Sequence, residues 1–331
     1  MWVAHSERPL SADELCHALG VEEGSSDLNI RNIPRIETLL ACTLGLVTVE
    51  KSSSTVRLIH YTLQEYLASN PNLFLKPHAV IAEVCLTYLN FTQVRVISPT
   101  LRFVPPTLGF VEYASCHWGT HASLGTTEIV KVLALQLLDG YDQHISSKML
   151  LLHWMDRPLY WLYSLRGFTG LHGAAYFGCA EITVALLKVK GWDVQATDLY
   201  GNTALTWAAV RGHEGVVRIL LEQSDVNPNT ADQNGRTPLW WAARNWHEEV
   251  VRILLERNEV NPNTADRYGQ TPLSWAAQVG NEEITRRLLE RNDINPDIVD
   301  MYRRTQLLYA AQNVSNISPT KCELLIINND V

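Results

Sequence analysis

The chain has 331 residues, 46% of them apolar, and a net charge of −8, enough for two or three domains with ordinary cores. Charge is spread evenly, with 11 Lys/Arg against 15 Asp/Glu in residues 1–164 and 16 against 20 in 165–331. No basic tract supports backbone-driven binding to nucleic acid, and no run of 18 apolar residues suggests a membrane span. The first residues, MWVAHSERPLSADELC, carry charges where a secretory signal needs its apolar run. Six cysteines, at 16, 42, 85, 116, 179 and 322, show no CxxC spacing and read as reduced thiols of a cytoplasmic protein.

In chain order, SADELCHALG predicts a helix with Ser11 as N-cap and Glu14 three residues on. IPRIETLLACTLG predicts a second helix with Ile36, Leu39, Leu40 and Leu44 inward. LVTVEKSSSTVRLIH alternates as strand, polar turn and strand, and YTLQEYLASNP closes the pattern as a short helix ended by Pro71. Helices and a hairpin in this order predict a partial winged helix over residues 1–74. The Ile36–Leu44 helix holds a single charged residue, Glu37, which excludes a DNA-reading role.

Residues 75–164 read as a helical linker: HAVIAEVCLTYLNF, FVEYASCHWGTHA, TEIVKVLALQLLDG and SKMLLLHWM all show helical apolar spacing, with Pro105-Pro106 in a loop. His117 and His121 stand one turn apart beside Cys116. Trp118 occupies the place a glutamate holds in HExxH, so these side chains are assigned to packing and no metal is expected.

From 165 to 331 the text repeats. Glycine recurs at 167, 201, 235 and 269, each 34 residues on, with Arg303 next. Within each unit, Thr237-Pro238-Leu239 and Thr271-Pro272-Leu273 cap and open a short inner helix, and Ala-Ala pairs follow at 174-175, 208-209, 242-243 and 276-277. Gly178, Gly212 and Gly280 end that helix, with Asn245-Trp246 in the glycine's place in one unit. EGVVRILLE, EEVVRILLE and EEITRRLLE give amphipathic outer helices. The links DVNPNTAD and EVNPNTAD run out to turns at Tyr200-Gly201, Asn234-Gly235 and Tyr268-Gly269.

These units resemble the ankyrin repeat, most closely over residues 166–312, with one residue more than the usual period, placed in the NPNTAD loop. His172 matches the family's T-P-L-H-x-A-A. The stretch from Arg303 through Thr305, Leu307, Ala310 and Ala311 keeps the frame as a degenerate cap. The N-terminal wording, ERPLSADELCHAL and VRLIHYTLQEYL, resembles the winged helix that follows the nucleotide-binding module of fungal NACHT-type signalling NTPases, relatives of NOD-like receptors. Tyr113, Ala114, Trp118 and His121 match the segment joining it to the repeats. That resemblance gives His60 as the histidine that closes the wing toward nucleotide. No GxxxxGK[ST] occurs here, so the chain is expected to lack the NTPase module and His60 to be structural.

The fold expected is therefore mainly α, an ankyrin solenoid preceded by a winged helix and a helical linker. Neither GxSxG nor a dinucleotide fingerprint occurs, and the paired carboxylates Glu248-Glu249 and Glu282-Glu283 begin solvated helices. No enzyme activity or cofactor is expected. The resemblance implies a module that binds another protein, without nucleic acid or membrane. The alternative is a regulatory or ligand-sensing fragment of a signal-transducing NTPase in fungal self/non-self recognition, with an upstream or separately encoded NTPase as partner. Trp207, Trp241 and Trp275, before the Ala-Ala pairs, are assigned to the core. The candidate protein-binding residues are Tyr200, Asn202, Asn234, Arg236, Tyr268 and Gln270 at the tips, with Trp240 and Trp246. Those two break the repeat, where Thr206 or Ser274 and Arg211 or Val279 are taken as equivalents.

Overall fold

The computed structural model describes residues 1–70, 73–99, 105–154, 167–189 and 191–305. The chain divides into two compact units, Met1–Ala174 and Ala175–Val331.

The first unit opens with α1 (Trp2–His5), α2 (Ala12–Leu19) and α3 (Ile36–Cys42), followed by β1 (Val47–Val49), β2 (Val56–Leu58) and α4 (Tyr61–Ser69). The N-terminus of α2 follows directly from its sequence. The Ser11 hydroxyl accepts the Glu14 amide at 3.1 Å, and the Glu14 carboxylate accepts the Ser11 amide at 2.8 Å. The strands pair antiparallel, with Val47 opposite Leu58 and Val49 opposite Val56. Leu44 differs from expectation. Helix α3 stops at Cys42, and Leu44 adopts a left-handed φ of 51° with 89% of its surface exposed. The apolar spacing runs two residues past the end of the helix. Pro71, expected to end α4, lies outside the described residues.

The core of this unit lies further on, between α5 (Pro77–Leu89) and α7 (Val111–Leu124). Tyr88, Phe91, Phe110, Tyr113 and Trp118 are all fully buried there, and Trp2 of α1 meets Phe110 edge-on at 5.7 Å. The short α6 (Thr92–Arg95), α8 (Glu128–Leu138) and α9 (Ile145–Trp154) complete the set, and α8 and α9 pack on α5 and α7 respectively. Both α1 and α2 also pack against α5, so residues 1–74 share one unit with the helices that follow.

Helix α10 (Gly170–Phe177) opens the repeats. The second unit continues with α11 (Ala180–Lys188), α12 (Ala204–Arg211), α13 (Glu214–Leu221), α14 (Pro238–Arg244), α15 (Glu248–Leu255), α16 (Pro272–Val279) and α17 (Glu282–Leu289). Helices of seven to nine residues do not persist alone in water, so packing must hold them. Inner helices α12, α14 and α16 pack side by side, as do outer helices α11, α13, α15 and α17. Val216, Val217, Leu220 and Leu221 of α13 are buried, each contributing about 1.5–3 kcal/mol.

Two polar ladders tie successive repeats. At each tip one aspartate oxygen accepts two backbone amides: Asp198 those of Tyr200 and Asn202, Asp232 those of Asn234 and Arg236, Asp266 those of Tyr268 and Gln270. Neighbouring tips share one backbone bond, Gln233 N–H to the Tyr200 carbonyl and Arg267 N–H to that of Asn234. The second ladder runs through the NPNTAD loop. The Asn229 side chain donates to the Glu259 carbonyl at 2.6 Å and accepts the Asn261 amide at 2.7 Å. Asn263 does the same with Asp293 and Asn295 at identical distances.

The helix-ending glycines Gly178 and Gly212 have φ of 72° and 76°, which favours residues without a Cβ. Space demands glycine there as well. A Cβ on Gly212 would stand 2.5 Å from Nδ1 of His247, and one on Gly178 equally close to His213. Both imidazoles are fixed by Nε2, which bonds the carbonyl of Tyr176 (His213) or Val210 (His247). Arg303 takes the tip-glycine position with φ 59°. The expected cap from Gln306 onward, Leu307, Ala310 and Ala311 included, lies outside the described residues.

Candidate functional site

The departures from the repeat gather on α14 and its flanks. In the 34-residue register Arg236 stands for Asn202 and Gln270, Trp240 for Thr206 and Ser274, and Arg244 for Val210 and Gln278. Trp246 stands for Gly212 and Gly280, not for Arg211 or Val279 as the sequence comparison placed it, and it adopts their left-handed backbone at φ 65°. Asn245 has an ordinary φ of −95° and donates to the Val210 carbonyl, so tryptophan, not asparagine, holds the glycine conformation. A bulky residue there is an outlier costing of order 1–3 kcal/mol. The register also shows why it fits: the following residue in the place of His213 and His247 is the smaller Asn281.

Trp240 is not a surface anchor. It is 2% exposed, its indole N–H donates to the Gln270 carbonyl at 3.1 Å, and it meets Trp241 and Trp275 edge-on at 5.2 and 5.4 Å. Replacing a small polar residue by tryptophan on a face pressed between inner helices makes it core. Trp207 and Trp241 are buried as expected, and Trp275 is half-buried.

Over these rings lie two guanidinium groups. Arg236 sits 4.2 Å from the centre of the Trp241 ring and is paired with Asp232 at 2.7 Å. Arg244 lies 5.4 to 5.8 Å over Trp240, Trp241 and Trp275, and burial together with the nearby Arg236 charge lowers its pKa. Among the described residues Arg244 has no ion-pair partner. Trp246, 56% exposed, stands two residues beyond it.

The tip candidates divide by what their side chains already hold. Asn202 donates to Asp198, Arg236 to Asp232, and Gln270 to Gln278 at 3.2 Å. Tyr268 is 44% exposed, with Arg267 stacked over its ring, whereas Tyr200 and Asn234 are half-buried. The tips precede the inner helices and Trp246 follows one, so the eight candidates do not form one cluster. Arg244 escaped sequence reading, although the Val210 and Gln278 in its register were a usable signal.

The first unit holds a separate group of titratable side chains. His121 is fully buried on α7 and bonds the Tyr113 hydroxyl through Nε2 at 2.9 Å. Its Nδ1 lies 2.8 Å from Nδ1 of His78 on α5, with the rings stacked. Burial, helped by the charges of His78, His117 and His5, pushes the His121 pKa down to about 3. Glu7, whose amide donates to Tyr113, brings a carboxylate to the same place, so that Glu7, His78 and His121 each have one donor atom within 4.8 Å of the other two. His117, one turn from His121, packs on Tyr113. His60 caps α4 by accepting the Thr62 amide and faces a cleft of about 530 Å³ that Arg8, Arg57 and Tyr61 also line.

Stacked inner and outer helices with hydrogen-bonded tips define a helical repeat protein. The family model for ankyrin repeats (three copies) matches residues 120–232, 171–266 and 258–331, and the chain belongs to the ankyrin-repeat family. Its repeats mark a protein–protein interaction module. The match begins earlier than the Gly167 register, taking in α8. Residues 1–76 match the winged-helix domain of GPI inositol-deacylase. No curated protein matches the chain. Among the described residues no helix is long and apolar enough to cross a membrane.

Proposed function

We propose that this protein is a non-catalytic cytoplasmic binding module that holds another protein on the face built by α14, with Arg244 and Trp246 as the central contacts and Tyr268 as a contact at the tips. The observation that carries this is the exposed Trp246, held in a glycine conformation two residues from Arg244, a guanidinium with no ion-pair partner among the described residues. Strain of that kind persists where surrounding structure imposes it, and it gathers at binding sites. Tryptophan and arginine are also the residues on which binding energy concentrates. The exposed cation stacked on aromatic rings suits an acidic or carbonyl-rich segment of the partner.

The test restores the repeat. Arg244→Gln and Trp246→Gly each install the residue found at the same place in a neighbouring repeat, so the fold is kept by construction. Affinity capture from native cytosol is expected to yield proteins held by the natural chain and lost, at least tenfold, by the double variant. An unchanged set with the folded variant refutes the assignment.

A second reading rests on the winged-helix match. Leu44, Leu46, Ile59 and Tyr61 are exposed at 89, 52, 61 and 66%, an apolar surface suited to contact with a further module. In this reading the chain is the regulatory part of a signalling NTPase of fungal NACHT type, encoded upstream or separately. A P-loop encoded upstream of Met1, or a P-loop protein in the captured set, supports it; the lack of both refutes it.

A further inference from the structure

We propose that Glu7, His78 and His121 form a binding site for a divalent transition-metal ion, with zinc the ion best matched to the donors. The three residues come from the turn after α1, from α5 and from α7, and one donor atom from each lies within 4.8 Å of the other two. Two imidazoles and one carboxylate are the donor set of open zinc sites, in which a fourth position is left to water.

The geometry of the two histidines carries the argument. Their Nδ1 atoms face each other at 2.8 Å, and the rings stack with an interplanar angle of 28°. Two ring nitrogens aimed at one point share a proton or share a cation. Zinc–nitrogen bonds of about 2.0–2.1 Å at a tetrahedral angle put such nitrogens roughly 3.3 Å apart. Between the two histidines the move required is thus about half an ångström, within reach of the half-buried His78 ring, and the exposed Glu7 side chain, within 4.8 Å of both, closes the remaining distance by rotation. The buried His121 need not move, because Tyr113 holds its Nε2 at 2.9 Å. A hydrogen bond on the far nitrogen is the usual orienting contact of a metal-bound histidine, and it directs the Nδ1 lone pair toward His78 and Glu7. Tyr113 is itself fixed by the Glu7 amide at 3.1 Å, so the backbone carrying the carboxylate is tied to the same hydroxyl. A further ring stands beside the site. His5 packs edge-on to His78 at 5.6 Å, and its Nε2 is buried with no hydrogen-bond partner among the described residues.

The metal would join the turn after α1 to α5 and α7, segments distant in sequence, and so stiffen the start of the chain. The full-length protein, stripped with chelator, is titrated with ZnCl₂ by calorimetry and with CoCl₂ by visible absorption. One equivalent of zinc is expected, with the intense d–d bands of tetrahedral cobalt and a higher melting temperature. Glu7→Gln changes an exposed side chain and keeps the fold; it should weaken affinity at least tenfold, and His78→Ala further. His117→Ala should leave affinity unchanged. The proposal is overturned if the natural protein takes up no zinc, if cobalt gives only the weak octahedral spectrum, or if folded Glu7→Gln and His78→Ala bind as the natural chain does.

Discussion

The glycine–histidine contact between repeats can be measured directly. Gly212→Ala meets two costs. The left-handed backbone at φ 76° opposes any Cβ by about 1–2 kcal/mol. The new carbon would also stand 2.5 Å from His247, whose imidazole must then leave its 2.9 Å bond to the Val210 carbonyl. Losing that bond in a closely packed setting adds about 1 kcal/mol, for a total of about 2–3 kcal/mol. Gly280→Ala has φ 72° and nothing within 4 Å of the added carbon among the described residues, so it should cost only the backbone part, about 1–2 kcal/mol and about 1 kcal/mol less than Gly212→Ala. Hydrogen exchange of α12 and α14 amides across a urea series would localise the effect to these repeats. In the background of His247→Asn, which copies the Asn281 that follows Trp246, Gly212→Ala should become cheaper by about 1 kcal/mol. Equal costs at the two glycines, or no coupling to position 247, would refute the steric account.

Other consequences follow from buried and bridging groups. His144 is 6% exposed, bonds the Leu89 carbonyl through Nε2, and burial holds its pKa down at about 4. A depressed histidine leaves stability unaffected above its unfolded value near 6.5. Below that the unfolded chain takes the proton and the folded one does not, so stability falls as pH drops toward 4. About 2 kcal/mol should be lost at pH 5, and His144→Gln should flatten that slope in acid-titrated urea unfolding. Asn229→Ala removes both bonds to the next loop and should cost about 1–2 kcal/mol, read as faster amide exchange at Asn261. Asn227→Ala removes a contact within one loop only, to the Asn229 amide, and should cost less.

The repeats were largely legible because their grammar is local. A threonine cap, a proline in the first turn, an alanine pair and a glycine stop each act within a few residues, and the structure places them as read. The capping box of Ser11 and Glu14 was legible for the same reason. Leu44 was misread because periodicity does not say where a helix stops. Trp240 was misread because departure from a repeat does not say which way a side chain points, and here the inner helices close over it. Trp246 was compared one place out of register, which hid its glycine conformation. The histidine group was invisible in a stronger sense. The histidine that meets His121 is His78, 43 residues away on another helix, and no spacing rule reaches that far.

The tight seat of His213 and His247 on the preceding glycines also bears on how such an array changes by recombination. Each inter-repeat bond joins residues a near-fixed distance apart in sequence, so copying a whole unit reproduces both of its faces. A second copy of the 201–234 segment would set a glycine before a histidine and join smoothly. A second copy of the 235–268 segment would bring Trp246 against a copy of His247, where even a single added carbon at Gly212 comes within 2.5 Å. The unit that carries the exposed tryptophan is thus the one that tandem duplication cannot multiply without a compensating change in its neighbour, which keeps that surface single while the array around it is free to lengthen.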